Sequence, residues 1–219
     1  MLTPLVIVGV DLAGPRNASG TGIAWFHSTD VELRFGGFKD GAGDQDILEL
    51  VLRMAEIDRV CVGVDAPLAY GSTDGRRAAD GELRKKLIER GGHPGIVMAP
   101  LAPRMVYLTL RGVALARALM TVPAPFGLDV VEVHPGGAFL LRGAPVELVR
   151  TFKREIPSRV ALVRWLSKAG MPGLPDELSA SDHVIAACAA ALAAWEWAYR
   201  RTQWVYPASS PMEPFDFAC

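Results

Sequence analysis

Short apolar runs and amphipathic stretches alternate along the 219-residue chain. The first run, at 5–10, is continuous and β-branched, which is typical of a strand buried on both faces. Two further strands are predicted at 21–26 and 31–35, and a helix at 44–56 has apolar residues at helical spacing. The chain is therefore predicted to open as a three-stranded antiparallel meander followed by a helix.

The later pattern continues as an alternation of strands and helices. Strands are predicted at 59–65 and 128–133, and helices at 104–120 and from 179–182 to about 200. The basic stretch 148–169 is expected to form two helical pieces divided by a proline. The predicted fold class is α/β, with a mixed five-stranded sheet of three antiparallel strands and then parallel strands, flanked by helices.

One domain is expected over residues 1–219, because the chain can bury one sizeable core and is short for two. A segment at about 68–103 is rich in glycine and proline and is predicted to be an inserted loop and helix. From about residue 204 the tail is predicted to be extended.

Composition limits the cellular setting more than it limits the partner. A formal net charge of -1 excludes a globally basic nucleic-acid binder but permits local basic patches. The three cysteines are far apart and lack zinc or redox spacing, which favours reduced thiols. The N-terminus lacks a basic signal region, and no apolar run reaches the roughly 18 residues of a membrane span. We therefore expect a cytoplasmic protein without a membrane segment.

Carboxylates follow two of the buried strands. Asp11 ends the motif Val-Gly-Val-Asp, and the same four residues recur up to Asp65. A buried carboxylate is costly unless a cation, a metal or a raised pKa compensates. Each aspartate is therefore either a metal ligand or, more simply, a cap of the turn that follows.

Two more acids extend this pattern. Glu132 lies inside the strand predicted at 128–133, and Asp182 lies in the first turn of the last helix, where an acid also favours the helix dipole. Convergence of three or four carboxylates would require a cation, and ligation by oxygen alone favours Mg²⁺ or Mn²⁺. Two such ions about 3.5–4 Å apart can hydrolyse a phosphodiester.

Basic residues and two histidines supply candidate substrate contacts. The stretch 76–90 holds six basic residues and three acids, and 148–169 holds six basic residues and one acid. Such stretches are either solvated faces or phosphate contacts. His134 and His183 neighbour two of the acids, where they either orient water or phosphate or simply pack. The candidates for contacts to a nucleic-acid backbone are Arg77, Arg84, Lys85 and Lys86, with Asp80 as a potential ion-pair partner.

In this order and spacing, the motifs resemble the domain of unknown function 429 family, whose members are predicted to be RNase H-like nucleases. The resemblance is carried by residues 9–13, 62–68, 77–80 with 83–84, 132–135 and 181–187. These segments span nearly the whole chain.

The resemblance implies an RNase H-like fold and a metal-dependent nuclease that acts on DNA or RNA. By this resemblance Asp11 would bridge two metal ions, and Asp65 and Asp182 would complete the sites. Glu132 would be a nearby ligand or would orient water. RNase H itself also uses an acid on its first helix, a place that Glu49 or Glu56 could fill.

Two other functions remain open. In an actin- or sugar-kinase-like protein, Asp11 and Asp65 would organise a magnesium nucleotide, although such kinases generally need two copies of the fold. In a non-catalytic binding module, the acids would be structural remnants. A dinucleotide-binding Rossmann domain is disfavoured, because a hairpin and not a glycine-rich turn into a helix follows the first strand.

Overall fold

A computed structural model describes residues 5–72, 74–209 and 211–219. The strands are β1 (Leu5–Asp11), β2 (Gly22–Ser28), β3 (Leu33–Asp40), β4 (Arg59–Asp65), β5 (Leu128–Val133), β6 (Val205–Tyr206) and β7 (Phe217–Ala218). The α-helices are α1 (Asp44–Ala55), α2 (Ala78–Glu89), α3 (Val106–Leu119), α4 (Pro135–Leu141), α5 (Val146–Thr151), α6 (Ile156–Lys168) and α7 (Asp182–Ala198).

The strands form one mixed sheet in the order β3-β2-β1-β4-β5-β7-β6. β1, β2 and β3 pair antiparallel, whereas β4 and β5 continue from β1 in parallel. This confirms the predicted mixed α/β sheet with its antiparallel meander and parallel strands.

The predicted count of five strands is wrong, because the part of the chain that the structure describes contributes seven strands to the sheet. The tail from about residue 204 contributes β6 and β7, and β7 pairs parallel with β5. A two-residue strand is too short to show the alternation that identifies a strand in sequence. The tail forms strands because β7 hydrogen-bonds to β5 and β6 hydrogen-bonds to β7.

Two helical details also differ from the sequence reading. α4 follows β5 directly and was not predicted, since its seven residues contain two glycines and a proline. The basic stretch does form two helical pieces, α5 and α6, but Pro157 lies in the first turn of α6 and the break comes just before it. Its fixed backbone angle and missing N–H suit that position. The predicted insertion at 68–103 contains α2.

The two faces of the sheet pack against different helices. Side chains alternate along each strand, so that Val6, Val8 and Val10 point to the face covered by α1 and α3. Leu5 and Ile7 point to the opposite face, which is covered by α7. The position of an acid along its strand therefore decides which half of the core it faces.

Helix α7 lies unusually close to the strands. A Cβ on Gly9 would collide with the carbonyl oxygen of Ala187, and a Cβ on Gly63 would lie 2.7 Å from the carbonyl oxygen of Ala190. From Val184 to Trp195 the helix is buried and mostly alanine. Small residues on both partners thus allow backbone-to-backbone packing, which fixes the position of the start of α7.

Within the described ranges, no helix is both long and apolar enough to cross a membrane.

We expect Gly9→Ala to lower the free energy of unfolding by about 1–3 kcal/mol or more, because the added methyl group forces α7 away from β1. Urea denaturation would measure this change. Gly81→Ala is the matched control: Gly81 lies inside α2 with open space around its Cα. The control should raise stability by about 0.5–1 kcal/mol, through helix propensity. Equal effects of the two substitutions would contradict the close-packing explanation.

Candidate functional site

Asp11 and Asp65 form a carboxylate pair at the ends of two adjacent strands. They are register partners in the parallel ladder between β1 and β4, and both belong to the face covered by α7. Asp11 is buried, with 6% exposure, and Asp65 is partly buried. The repeated motif Val-Gly-Val-Asp therefore places two acids side by side.

This arrangement changes the acidity of Asp65. Its pKa lies well above the usual range for aspartate, first because burial disfavours the charged form and then because the Asp11 carboxylate repels it. The positive charge of Lys153 opposes this rise in pKa. A bound cation would relieve the repulsion and allow both carboxyls to ionise.

His183 approaches the pair from the first turn of α7. Ser181 caps this helix, with its Oγ accepting a hydrogen bond of 3.4 Å from the backbone N–H of Val184. His183 Nδ1 lies 2.7 Å from Asp11 Oδ2, and because a carboxylate can only accept, Nδ1 carries the proton. This hydrogen bond raises the pKa of His183. The side chain is 33% exposed, so solvent can reach it.

Asp182 is the first residue of α7, and its charge also raises the pKa of His183. The structure thus places it beside the histidine that bonds Asp11. Its role as a metal ligand stays a prediction.

Glu132 faces the other side of the sheet. Its register partner is Val64 and not Asp65, so its side chain points away from the face that carries the aspartate pair. There it accepts hydrogen bonds from Arg77 Nη1 at 2.7 Å, Arg77 Nη2 at 2.6 Å and the backbone N–H of Leu68 at 2.8 Å. The carboxylate is occupied by internal partners.

Arg77 lies inside the protein. Besides Glu132 it binds Asp80, through Nε at 3.0 Å and Nη2 at 2.6 Å. All three side chains are at least 92% buried. The structure therefore makes Arg77 the centre of a buried ion triad and does not present it to a nucleic acid, whereas Asp80 is the ion-pair partner that the sequence suggested.

The other basic candidates lie on α2. Arg84 is partly buried and its Nε donates a 2.8 Å hydrogen bond to the carbonyl of Val97. Lys85 and Lys86 are exposed. Of the four cations proposed from sequence, these two lysines are the ones exposed enough to contact a large anionic partner.

His134 is held by the backbone on both sides of its ring. Its Nδ1 accepts a 2.9 Å hydrogen bond from the N–H of Gly137 and caps α4, and its Nε2 lies 2.9 Å from the carbonyl of Ile96. Since Nδ1 must accept and Nε2 must donate, the ring is the neutral Nε2–H tautomer. Burial lowers the pKa of His134 accordingly.

A cavity of about 350 Å³ opens beside Asp65. Ala186 of α7 and His134 contribute to its lining, together with Phe152 and Lys153 from the end of α5. Lys153 is exposed, and its charge lowers the pKa values of both Asp65 and His134. The cavity thus joins the aspartate pair to the basic stretch 148–169.

Arg111 is a site-supporting residue that the sequence reasoning missed. It is buried in α3 and donates from Nη1 to the carbonyl of Ala13 at 2.7 Å and to Thr21 Oγ1 at 2.8 Å. Its Nε also binds Asp44 Oδ1 at 2.7 Å. Arg111 therefore anchors the segment that follows Asp11. An arginine within the apolar stripe of a helix was the available signal.

Among residues 5–72, 74–209 and 211–219, no group of three or more His, Cys, Asp or Glu side chains is arranged to hold a metal ion. The aspartate pair by itself still fits Mg²⁺, which usually takes one or two protein carboxylates and completes its shell with water and substrate phosphates. The side-by-side placement of the two carboxylates at adjacent strand ends is the observation that supports this fit.

A comparison with protein families matches residues 9–210 to the family described as "Protein of unknown function (DUF429)". The chain belongs to this family. The matched region of this DUF429 member runs from β1 past β6 and includes the aspartate pair, α7 and the buried ion triad. Comparison with curated proteins and comparison with solved structures each gave no match.

We expect Arg77→Ala to lower the free energy of unfolding by about 3–5 kcal/mol, because it leaves Glu132 and Asp80 buried without their cation. Chemical denaturation would measure this loss. The matched control is Arg76→Ala at the neighbouring exposed position, which should change stability by no more than about 0.5 kcal/mol. An Arg77 that served only as a surface contact would behave like the control.

We expect Asp11→Asn to lower the pKa of His183, because the substitution removes the carboxylate that favours the imidazolium form. An NMR titration of the ring protons would measure the change. Asp182→Asn is the comparison variant and should lower the pKa of His183 by a smaller amount, since Asp182 acts only through space. A His183 titration that is the same in wild type and Asp11→Asn would rule out the hydrogen bond.

Proposed function

We propose that this protein is a metal-dependent nuclease with an RNase H-like fold. The strand order β3-β2-β1-β4-β5, with β2 antiparallel to both neighbours, supports the fold assignment. The aspartate pair carries the functional argument, because the two acids are register partners at adjacent strand ends and Asp65, whose pKa is raised, lines a cavity together with Lys153. Perturbed acids in a cleft are typical of catalytic sites.

Asp11 and Asp65 would hold Mg²⁺ or Mn²⁺. When bound there, such an ion activates water and neutralises charge on a phosphodiester. Asp182 is the remaining candidate ligand for a second ion, since Glu132 is paired with Arg77.

The residues around the pair have distinct tasks in this proposal. Burial and the Asp11 carboxylate raise the pKa of Asp65, and a cation held by the pair would favour the ionised form of both carboxyls. Asp11 holds His183 with its proton on Nδ1, which leaves Nε2 to exchange a proton with water or with the leaving oxygen. Lys153 would contact a substrate phosphate, since it is exposed and lines the same cavity as Asp65.

A non-catalytic nucleic-acid-binding module is the second candidate. It is favoured by the ion triad that engages Glu132, which removes one acid from the predicted ligand set. The substrate in either case is DNA or RNA. A cytoplasmic location fits the three cysteines, which are buried free thiols.

We expect wild-type protein to cleave at least one member of a panel of single-stranded, duplex and branched DNA and RNA substrates with Mg²⁺ or Mn²⁺. Asp65→Asn should reduce the rate by about 100-fold or more, because the metal-binding carboxylate supplies several kcal/mol of transition-state stabilisation. Gel analysis of end-labelled substrates would measure both rates.

The matched control for this assay is Asp58→Asn. Asp58 lies just before β4, at the opposite end of the strand from Asp65. Its substitution should leave the rate within about twofold of wild type. Cleavage that is equal in wild type, Asp65→Asn and the control would reject the assignment of the site. Binding of nucleic acid without cleavage would favour the module.

A further inference from the structure

The cavity beside Asp65 is more apolar than cleavage of a phosphodiester requires. Most of its wall is apolar, with contributions from Ile96, Val146, Val149 and Phe152. Its volume of about 350 Å³ falls in the lower part of the range of small-molecule pockets, which is about 300–1,000 Å³. A phosphodiester backbone would use only the charged edge, so the apolar interior fits a different part of the substrate.

The walls of the cavity are held in place without a ligand. The ring of His134 is fixed by its two backbone hydrogen bonds, to Gly137 and Ile96. The ring of Phe152 packs edge-on against Phe139, with centroids 5.9 Å apart. A pocket that exists before binding loses little conformational entropy when it is filled. The cavity is therefore present before any ligand binds.

Cations line the same cavity. Arg150, Lys153 and Arg154 all belong to its lining, and Lys153 and Arg154 are exposed. Arg150 is anchored by Glu147 at 3.2 Å and by the carbonyl of Gly91 at 2.8 Å. An occupant that satisfies both parts of the cavity needs an apolar body joined to a chain of negative charges.

We infer that this cavity receives one unstacked nucleobase of a single-stranded nucleic acid, with the adjoining phosphates on Lys153 and Arg154. This inference rests on the proposed function and specifies its substrate class. A base inside a continuous duplex stack cannot enter such a pocket, so the target is a single strand, a loop or an unpaired nucleotide. The phosphodiester next to the bound base then lies beside Asp65.

The test compares two labelled strands on wild-type protein in EDTA, so that binding is measured without cleavage. One probe is fluorescein-labelled pentathymidine, and the other is the same pentamer with an abasic central nucleotide. Fluorescence anisotropy should give about tenfold tighter binding of the complete strand, in keeping with the contribution of one stacked base. Equal affinities for the two probes would overturn the inference.

Variants locate the effect in the cavity. Val146→Trp fills the space at the start of α5 and should reduce the affinity for pentathymidine to that for the abasic strand, which itself should not change. Ile57→Trp is the control, because Ile57 is 71% exposed just before β4, at the far end of the strand from Asp65. If Val146→Trp still binds pentathymidine more tightly than the abasic strand, the inference is also overturned.

Lys153→Ala tests the phosphate contacts. The substitution should weaken the binding of both probes by the same factor. It should also reduce the magnitude of the slope of log affinity against log salt by about 0.7, the value for one phosphate contact on a single strand. An unchanged slope would contradict the placement of phosphate on Lys153. Competition by thymidine 5′-monophosphate with the affinity of the pentamer would assign the pocket to free nucleotides and not to a strand.

The pocket and the nuclease activity can fail separately. Base-dependent binding with no cleavage of any substrate rejects the nuclease proposal and retains the pocket. Metal-dependent cleavage with equal binding of the two probes rejects the pocket and retains the nuclease.

Discussion

The contact between α7 and the sheet is the constraint on which the candidate site depends. Gly9, Gly22 and Gly63 leave the strands without side chains under the helix, and the buried part of α7 is mostly alanine. A Cβ on Gly22 would lie 2.6 Å from the backbone of His183, so the start of the helix packs directly on the backbone of β2. This close packing is what brings His183 to Asp11.

The sheet separates two groups of acids with opposite electrostatic character. On the α7 face, Asp11 and Asp65 lie side by side, His183 bonds Asp11, and burial together with the Asp11 charge raises the pKa of Asp65. On the other face, Arg77 neutralises Glu132 with paired hydrogen bonds. Buried ion pairs cost desolvation, and removal of one partner is strongly destabilising. The first group is therefore suited to bind an external cation, and the second holds the loop before α2 against β5.

The elements around the pair supply its support and its access. Arg111 of α3 hydrogen-bonds both the carbonyl of Ala13, just after Asp11, and the side chain of Asp44 in α1. The end of α5 provides the cations and one aromatic wall of the cavity, and the capped start of α4 provides another wall. The site is thus assembled from β1, β4, α4, α5 and α7, each held by contacts that do not involve a ligand.

The sequence by itself determined the main strands and helices and the two strand-end aspartates, because hydrophobic periodicity and the repeated Val-Gly-Val-Asp motif are local properties. It could not determine which acids meet. The face on which Glu132 points depends on the register between β4 and β5, and the burial of Arg77 depends on a partner 55 positions away along the chain. Strand β7 likewise forms by pairing with β5, and β6 forms by pairing with β7. Register and pairing are set by packing between distant segments, so only the tertiary structure decided that two acids form the pair.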